Sequence, residues 1–147
     1  MQYGSLVFGK ENFVMIKYFQ EMNEMYADYA HKNTLDLLTE NMSNALIVDT
    51  AKLPKDIVQI YSTITVSSKS GWLETFRLVP PYEERIKNGK ISVISTLGAS
   101  VIGLSEGDTL NYGLPGHMML LRIEKVAQDR KRVKLRIPEE AIKKDVT

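Results

Sequence analysis

Hydrophobic and polar positions change period once along the chain, and the change divides it. Met15, Tyr18, Met22, Met25 and Tyr29 recur at spacings of 3, 4, 3 and 4, the seam of a helix packed against one partner. Lys17, Gln20, Glu21, Asn23 and Glu24 fall between them and suit a solvated face. The pattern fades at His31-Lys32-Asn33, after which Thr34 is placed to cap a second helix. Leu35, Leu38, Met42 and Ala45 then repeat the spacing. Two helices with facing seams and a turn of a few residues predict a short antiparallel hairpin, a stub of coiled coil, over residues 1–53. At about 1.5 Å per residue, helices of roughly 20 and 14 residues are about 30 and 21 Å long. Residues 1–10 show no period and read as a loosely held start.

Leu53-Pro54 marks the joint, because a proline disfavours helix in the residue before it. Beyond it the period becomes two. Thr63, Thr65 and Ser67 alternate with Ile64 and Val66, Ser70-Gly71 is a turn, and Leu73 to Val79 alternates again before Pro80-Pro81. Asn88-Gly89 is a tight-turn signal ahead of a strand at Ile91 to Ile94. Ser95 or Thr96 can cap a short helix, on which Leu97, Val101 and Leu104 share a face, and Gly103 or Gly107 can end it. Thr109 to Leu114 and His117 to Val126 read as strands joined by a type II turn at Pro115-Gly116. The run from Arg130 to Arg136 alternates weakly and is expected to form a charged edge strand. Residues 54–147 are thus expected to form an α+β domain with a mostly antiparallel sheet and one short helix.

Composition removes several functions. The chain has 147 residues, 19 Lys plus Arg, 18 Asp plus Glu and no cysteine. The balance of charge gives no global attraction to nucleic acid or anionic lipid. Without cysteine there is no disulfide, no thiolate metal site and no thiol nucleophile, and a reducing, cytoplasmic compartment is expected. The longest apolar runs, such as Met118 to Leu121, fall far short of the roughly 20 residues that span a membrane. The first residues do not resemble a secretory signal.

Several local strings carry a resemblance. They are Leu53-Pro54-Lys55-Asp56-Ile57-Val58, Leu78-Val79-Pro80-Pro81, the block from Gly89 to Asp108, and Leu114-Pro115-Gly116. In this order and spacing they resemble the C-terminal domain of the Gre transcript-cleavage factors, and most of all their shorter relative, the regulator of nucleoside diphosphate kinase (Rnk) family. The resemblance covers residues 53–127 well and the hairpin only by position and length. It implies an FKBP-like fold for the sheet domain. It also implies a partner, RNA polymerase, docked at the rim of the secondary channel through Ile94, Ser95, Thr96, Leu97 and Gly98. The family usually has Ser-Pro here; this chain keeps Ser95 but has Thr96 in place of the proline. Ser100 stands where a small apolar residue is usual, and Ile94 where some members are acidic.

Gre factors promote cleavage by presenting carboxylates at the tip of a long coiled coil, where they help hold a second Mg²⁺ in the polymerase active centre. Here the carboxylates nearest the expected turn are Asp28 and Asp36, with Glu24 and Glu40 further back. They read as solvated helix-face residues. About 50 residues precede the sheet domain, room for a stub that occupies part of the channel and competes with longer factors. The resemblance therefore implies a regulator of elongation that is not itself an enzyme and uses no metal or cofactor. Two alternatives stand beside it: an active cleavage factor using Asp28 and Asp36, and an FKBP-like prolyl isomerase.

Other chemistry is sparse. His31 and His117 do not make a zinc site without further ligands. Gly98 and Gly103 do not form a phosphate-binding fingerprint, and no Ser–His–acid order stands out. The basic run 130–136 lacks interleaved aromatics, and reads as a solvated edge without sequence-specific contact to nucleic acid.

Overall fold

The computed structural model describes residues 2–113 and 116–135. Its elements in chain order are β1 (Val7–Gly9), α1 (Lys10–Met22), α2 (Tyr29–Met42), β2 (Leu46–Val48), β3 (Thr63–Ser68), β4 (Leu73–Val79), β5 (Lys90–Ser92), α3 (Thr96–Val101), β6 (Thr109–Tyr112) and β7 (Met119–Ala127). Five strands form one sheet in the order β5-β4-β3-β7-β6. Only the β4–β5 pair is parallel. The result is a mixed α+β fold.

The period-two reading places the sheet's inner face. Ile64 lies opposite Phe76 on one side and Val126 on the other, and Val66 lies opposite Ile123. Ile64, Val66, Phe76, Leu78, Leu121 and Ile123 are all buried. Each such side chain contributes about 1.5–3 kcal/mol by leaving water. A register shift between Thr65 and Val66 interrupts the β3–β7 ladder, and such an irregularity bends a strand and increases its twist.

The helical part differs from expectation in three ways. First, α1 ends at Met22, and residues 23–28 form the connection. Asn23 turns extended there, and its side-chain Nδ2 donates to the Met25 carbonyl at 2.8 Å. The residues His31-Lys32-Asn33, expected as the turn, lie inside α2. Thr34, expected as its cap, sits within it and donates to the Ala30 carbonyl at 2.9 Å. Asp28 is the true cap, accepting from the His31 amide at 2.8 Å.

Second, only the first part of the expected seam is buried: Met15 lies in the core and Tyr18 packs against it, but the rest does not. Met22, Met25 and Tyr29 are 53%, 78% and 74% exposed. The buried face of α1 is Asn12, Met15, Ile16 and Phe19, turned onto the sheet domain. These side chains join Leu35, Leu38 and Met42 of α2 and the inner face of the sheet in one cluster that is continuous across residue 53. The Asn12 side-chain carbonyl accepts from the buried Ile60 amide at 2.8 Å, which ties α1 to the strand-bearing half.

Third, the start of the chain is part of the core. Leu6, Val7 and Phe8 are buried, and β1 pairs in parallel with β2. The Val7 amide donates to the Gly103 carbonyl at 3.1 Å. Gly103 has φ +80°, and a Cβ there would meet the Phe8 ring at 2.9 Å, so the close approach of β1 requires a glycine.

The C-terminal run also departs from expectation. Residues 130–135 form no strand; Val133 is buried and its neighbours are exposed. Arg136 and the Leu114-Pro115 half of the expected turn lie outside the described residues.

Candidate functional site

Residues 94–98 run from the short connection after β5 into the first turn of α3. Ser95 has extended backbone and caps α3: its Oγ accepts from the Gly98 amide at 3.1 Å and donates to the Ser92 carbonyl at 2.7 Å. One hydroxyl therefore fastens the first turn of the helix to the end of the strand. Gly98 lets the two lie in contact, since a Cβ there would fall 2.1 Å from the Ser92 carbonyl oxygen. The Ser92 amide donates to Glu84 Oε2 at 2.7 Å, fixing the strand end from the other side.

The loop is also held from α2. His31 is buried, its Nδ1 accepts from the Ala27 amide at 2.9 Å, and its Nε2 lies 2.7 Å from the Ile94 carbonyl. Because Nδ1 is taken by an amide proton, Nε2 carries the ring hydrogen and donates to Ile94. His31 thus positions the candidate docking loop from a distant part of the sequence. Sequence reasoning passed over this role. The available signal was the spacing Asp28-x-x-His31, a cap three residues before a histidine.

The five expected docking residues divide by exposure. Ile94 and Gly98 are buried and frame the loop, whereas Ser95, Thr96 and Leu97 are half-buried and reach the surface. Exposed apolar side chains stand nearby. A groove of about 850 Å³ runs between the end of α1 and the 81–82 turn, lined by Tyr18, Met22, Met25 and Tyr82, with Ile94 at its edge. Ile86, 70% exposed, borders the loop on the side of Ser95. A fixed polar loop beside exposed apolar side chains is the make-up of a protein-docking surface.

The two candidate carboxylates are not brought together. Asp28 spends its side chain on the α2 cap, and Asp36 lies two turns along the same helix, paired with Lys32 at 2.7 Å. That carboxylate holds the Lys32 ammonium above its usual range. Among the described residues no group of three or more acidic or histidine side chains could hold a metal ion.

Relatives sharpen the reading. A transcription elongation factor GreA from Anaeromyxobacter sp. is 36% identical over 87 residues, covering 58% of this chain and 52% of its own. A GreA from Brucella anthropi is 28% identical over 91 residues, covering 61% and 58%. This chain spans about half the length of these relatives. The solved GreA/GreB factor from Nitrosomonas europaea has the same fold, with a TM-score of 0.67 at 22% identity over 84% of this chain and 98% of that one. No helix among the described residues is long and apolar enough to cross a membrane. Residues 53–128, just over half of the sequence, match the profile of the transcription elongation factor GreA/GreB C-terminal domain, and the chain belongs to that family.

Proposed function

We propose that this protein binds RNA polymerase at the rim of the secondary channel through Ser95, Thr96 and Leu97, with Ile94 and Gly98 setting the shape of the loop. It regulates elongation by occupying the channel and competing with other channel factors, and contributes no cleavage chemistry of its own. The observation that carries this reading is the anchoring of the loop. Ser95, Glu84 and His31 fix its backbone from three elements, while Thr96 and Leu97 remain at the surface beside an exposed apolar rim. Such preorganisation lowers the ordering cost of docking a partner.

Occupancy is favoured over cleavage by the state of the carboxylates. Asp28 and Asp36 are engaged locally and stand eight residues apart on one helix, about 12 Å at 1.5 Å per residue, too far to grip one metal ion. The isomerase alternative gains no support, since Phe76 is buried in the core and the Tyr61 hydroxyl is taken by Glu83. Retention of purified polymerase on the immobilised chain tests the docking site, with a polymerase lacking the channel-rim tip as control. The reading predicts retention of the first only; equal retention of both refutes it.

A further inference from the structure

Residues 129–134 lie as a strap across the sheet domain, and the strap is anchored at alternate positions. Asp129 pairs with Arg77 at its start. Lys131 lies 4.6 Å from the centre of the Tyr61 ring and 3.4 Å from Glu83 Oε1. Val133 is buried in the core. Tyr61 is itself clamped, with Arg77 over its ring and its hydroxyl donating to Glu83. The remaining strap residues, Arg130, Arg132 and Lys134, are exposed. None of the three forms an ion pair among the described residues; Arg132 donates only to backbone carbonyls of the strap.

The turn that follows β4 brings an aromatic ring to this basic row. Pro80-Pro81 directs the chain so that Tyr82 shares a groove of about 500 Å³ with the strap. The ring is 66% exposed, yet held edge-on by Phe19 with centroids 6.3 Å apart. An exposed, braced aromatic beside a row of cations that have no ion-pair partner among the described residues is the arrangement that takes single-stranded nucleic acid. Cations follow the phosphates and the ring stacks a base, with no sequence preference required. The sequence shows only the cations, since Tyr82 lies 48 residues before Arg130.

We infer that Tyr82 with Arg130, Arg132 and Lys134 forms a binding site for a single-stranded polynucleotide. It shares Tyr82 with the apolar groove beside the proposed polymerase-docking loop, but its cations lie on the strap and it does not depend on that reading. An acidic peptide would use the cations but not the exposed ring.

Fluorescence anisotropy of the full chain with labelled oligouridylate and oligothymidylate of about 12 nucleotides tests this without polymerase. Affinity is expected to fall with salt at a log–log slope of about −2, from three phosphates at about −0.7 each. Tyr82→Phe keeps the affinity, Tyr82→Ala weakens it about tenfold, and the combined Arg130→Ala, Arg132→Ala, Lys134→Ala variant abolishes it. Preference for one oligomer names the source, equal binding shows a site indifferent to the sugar, and both satisfy the inference. Absence of binding at low salt, an unchanged affinity in Tyr82→Ala, or equal binding of an oligoglutamate overturns it.

Discussion

Gly98→Ala is the sharpest perturbation of the docking loop. Glycine to alanine inside an ordinary helix stabilises by up to about 1 kcal/mol, because alanine restricts the unfolded chain and favours helix. Gly98 lies in α3, and its backbone is not in the left-handed region, so propensity alone predicts a gain. Packing reverses the sign. The added Cβ would fall 2.1 Å from the Ser92 carbonyl oxygen and 3.0 Å from Val93 Cα, both backbone atoms that cannot swing aside. The Cβ is roughly 1.3 Å short of ordinary contact with that oxygen, so α3 must lift away from β5 and strain the Ser95 cap. Overpacking of this kind costs about 1–3 kcal/mol, and loss of a cap about 1 more. After the helix gain is subtracted, a net loss of about 2 kcal/mol remains. Urea unfolding measures it directly; thermal unfolding should show a drop of about 4–8 °C in Tm for a chain of this size. Ser100→Ala on the same helix, where the hydroxyl bonds only to the Thr96 carbonyl, serves as control and should change stability little. A neutral or stabilising Gly98→Ala would show that α3 does not rest on the Ser92 carbonyl.

Other outcomes follow from the same contacts. Asn12→Ala leaves the buried Ile60 amide without its acceptor and should cost about 1–3 kcal/mol in urea unfolding; no loss would deny that this bond joins α1 to the sheet domain. His31→Phe removes the acceptor of the Ala27 amide and the donor to Ile94, so hydrogen exchange at Ala27 should quicken by about tenfold. Unchanged exchange there would contradict the bridging role. Burial and the bond to Glu83 raise the Tyr61 phenol above the ordinary tyrosine range. A raised folded-state value gives stability that is complete below the unfolded value of about 10 and is lost as pH rises through the folded one. Stability should therefore decline above about pH 10 and decline less steeply in Tyr61→Phe; equal alkaline slopes would count against the Tyr61–Glu83 bond.

The strand-bearing half was legible because its signals are local. Alternation set β3 and β4 almost to the residue, and the hydroxyls of Ser95 and Thr96 ahead of Leu97 and Val101 placed the start of α3 to within a residue. The helical half misled because spacing was read without competition from capping. Met22, Met25 and Tyr29 keep a helical period, yet Asn23 and Asp28 offer side-chain bonds that end one helix and begin the next. Leu6-Val7-Phe8 was missed because three consecutively buried residues have no period at all, and their partner strand lies 39 positions away. Still longer separations hid His31 from Ile94 and Tyr82 from the basic strap, since contacts of such range leave no mark on local pattern. The docking residues were named from resemblance; that Ile94 and Gly98 frame the loop while Ser95, Thr96 and Leu97 face outward emerged only from packing.

Site-specific photo-crosslinking from position 96 tests the central claim most directly. A photoreactive residue replaces Thr96 in the full chain, and a second variant carries it at the exposed Lys125 of β7 as reference. Irradiation with RNA polymerase should give crosslinks from position 96 that map to the rim of the secondary channel, with few from position 125. Crosslinks from position 125 but not 96, or from 96 to a polymerase surface away from that rim, would contradict the account.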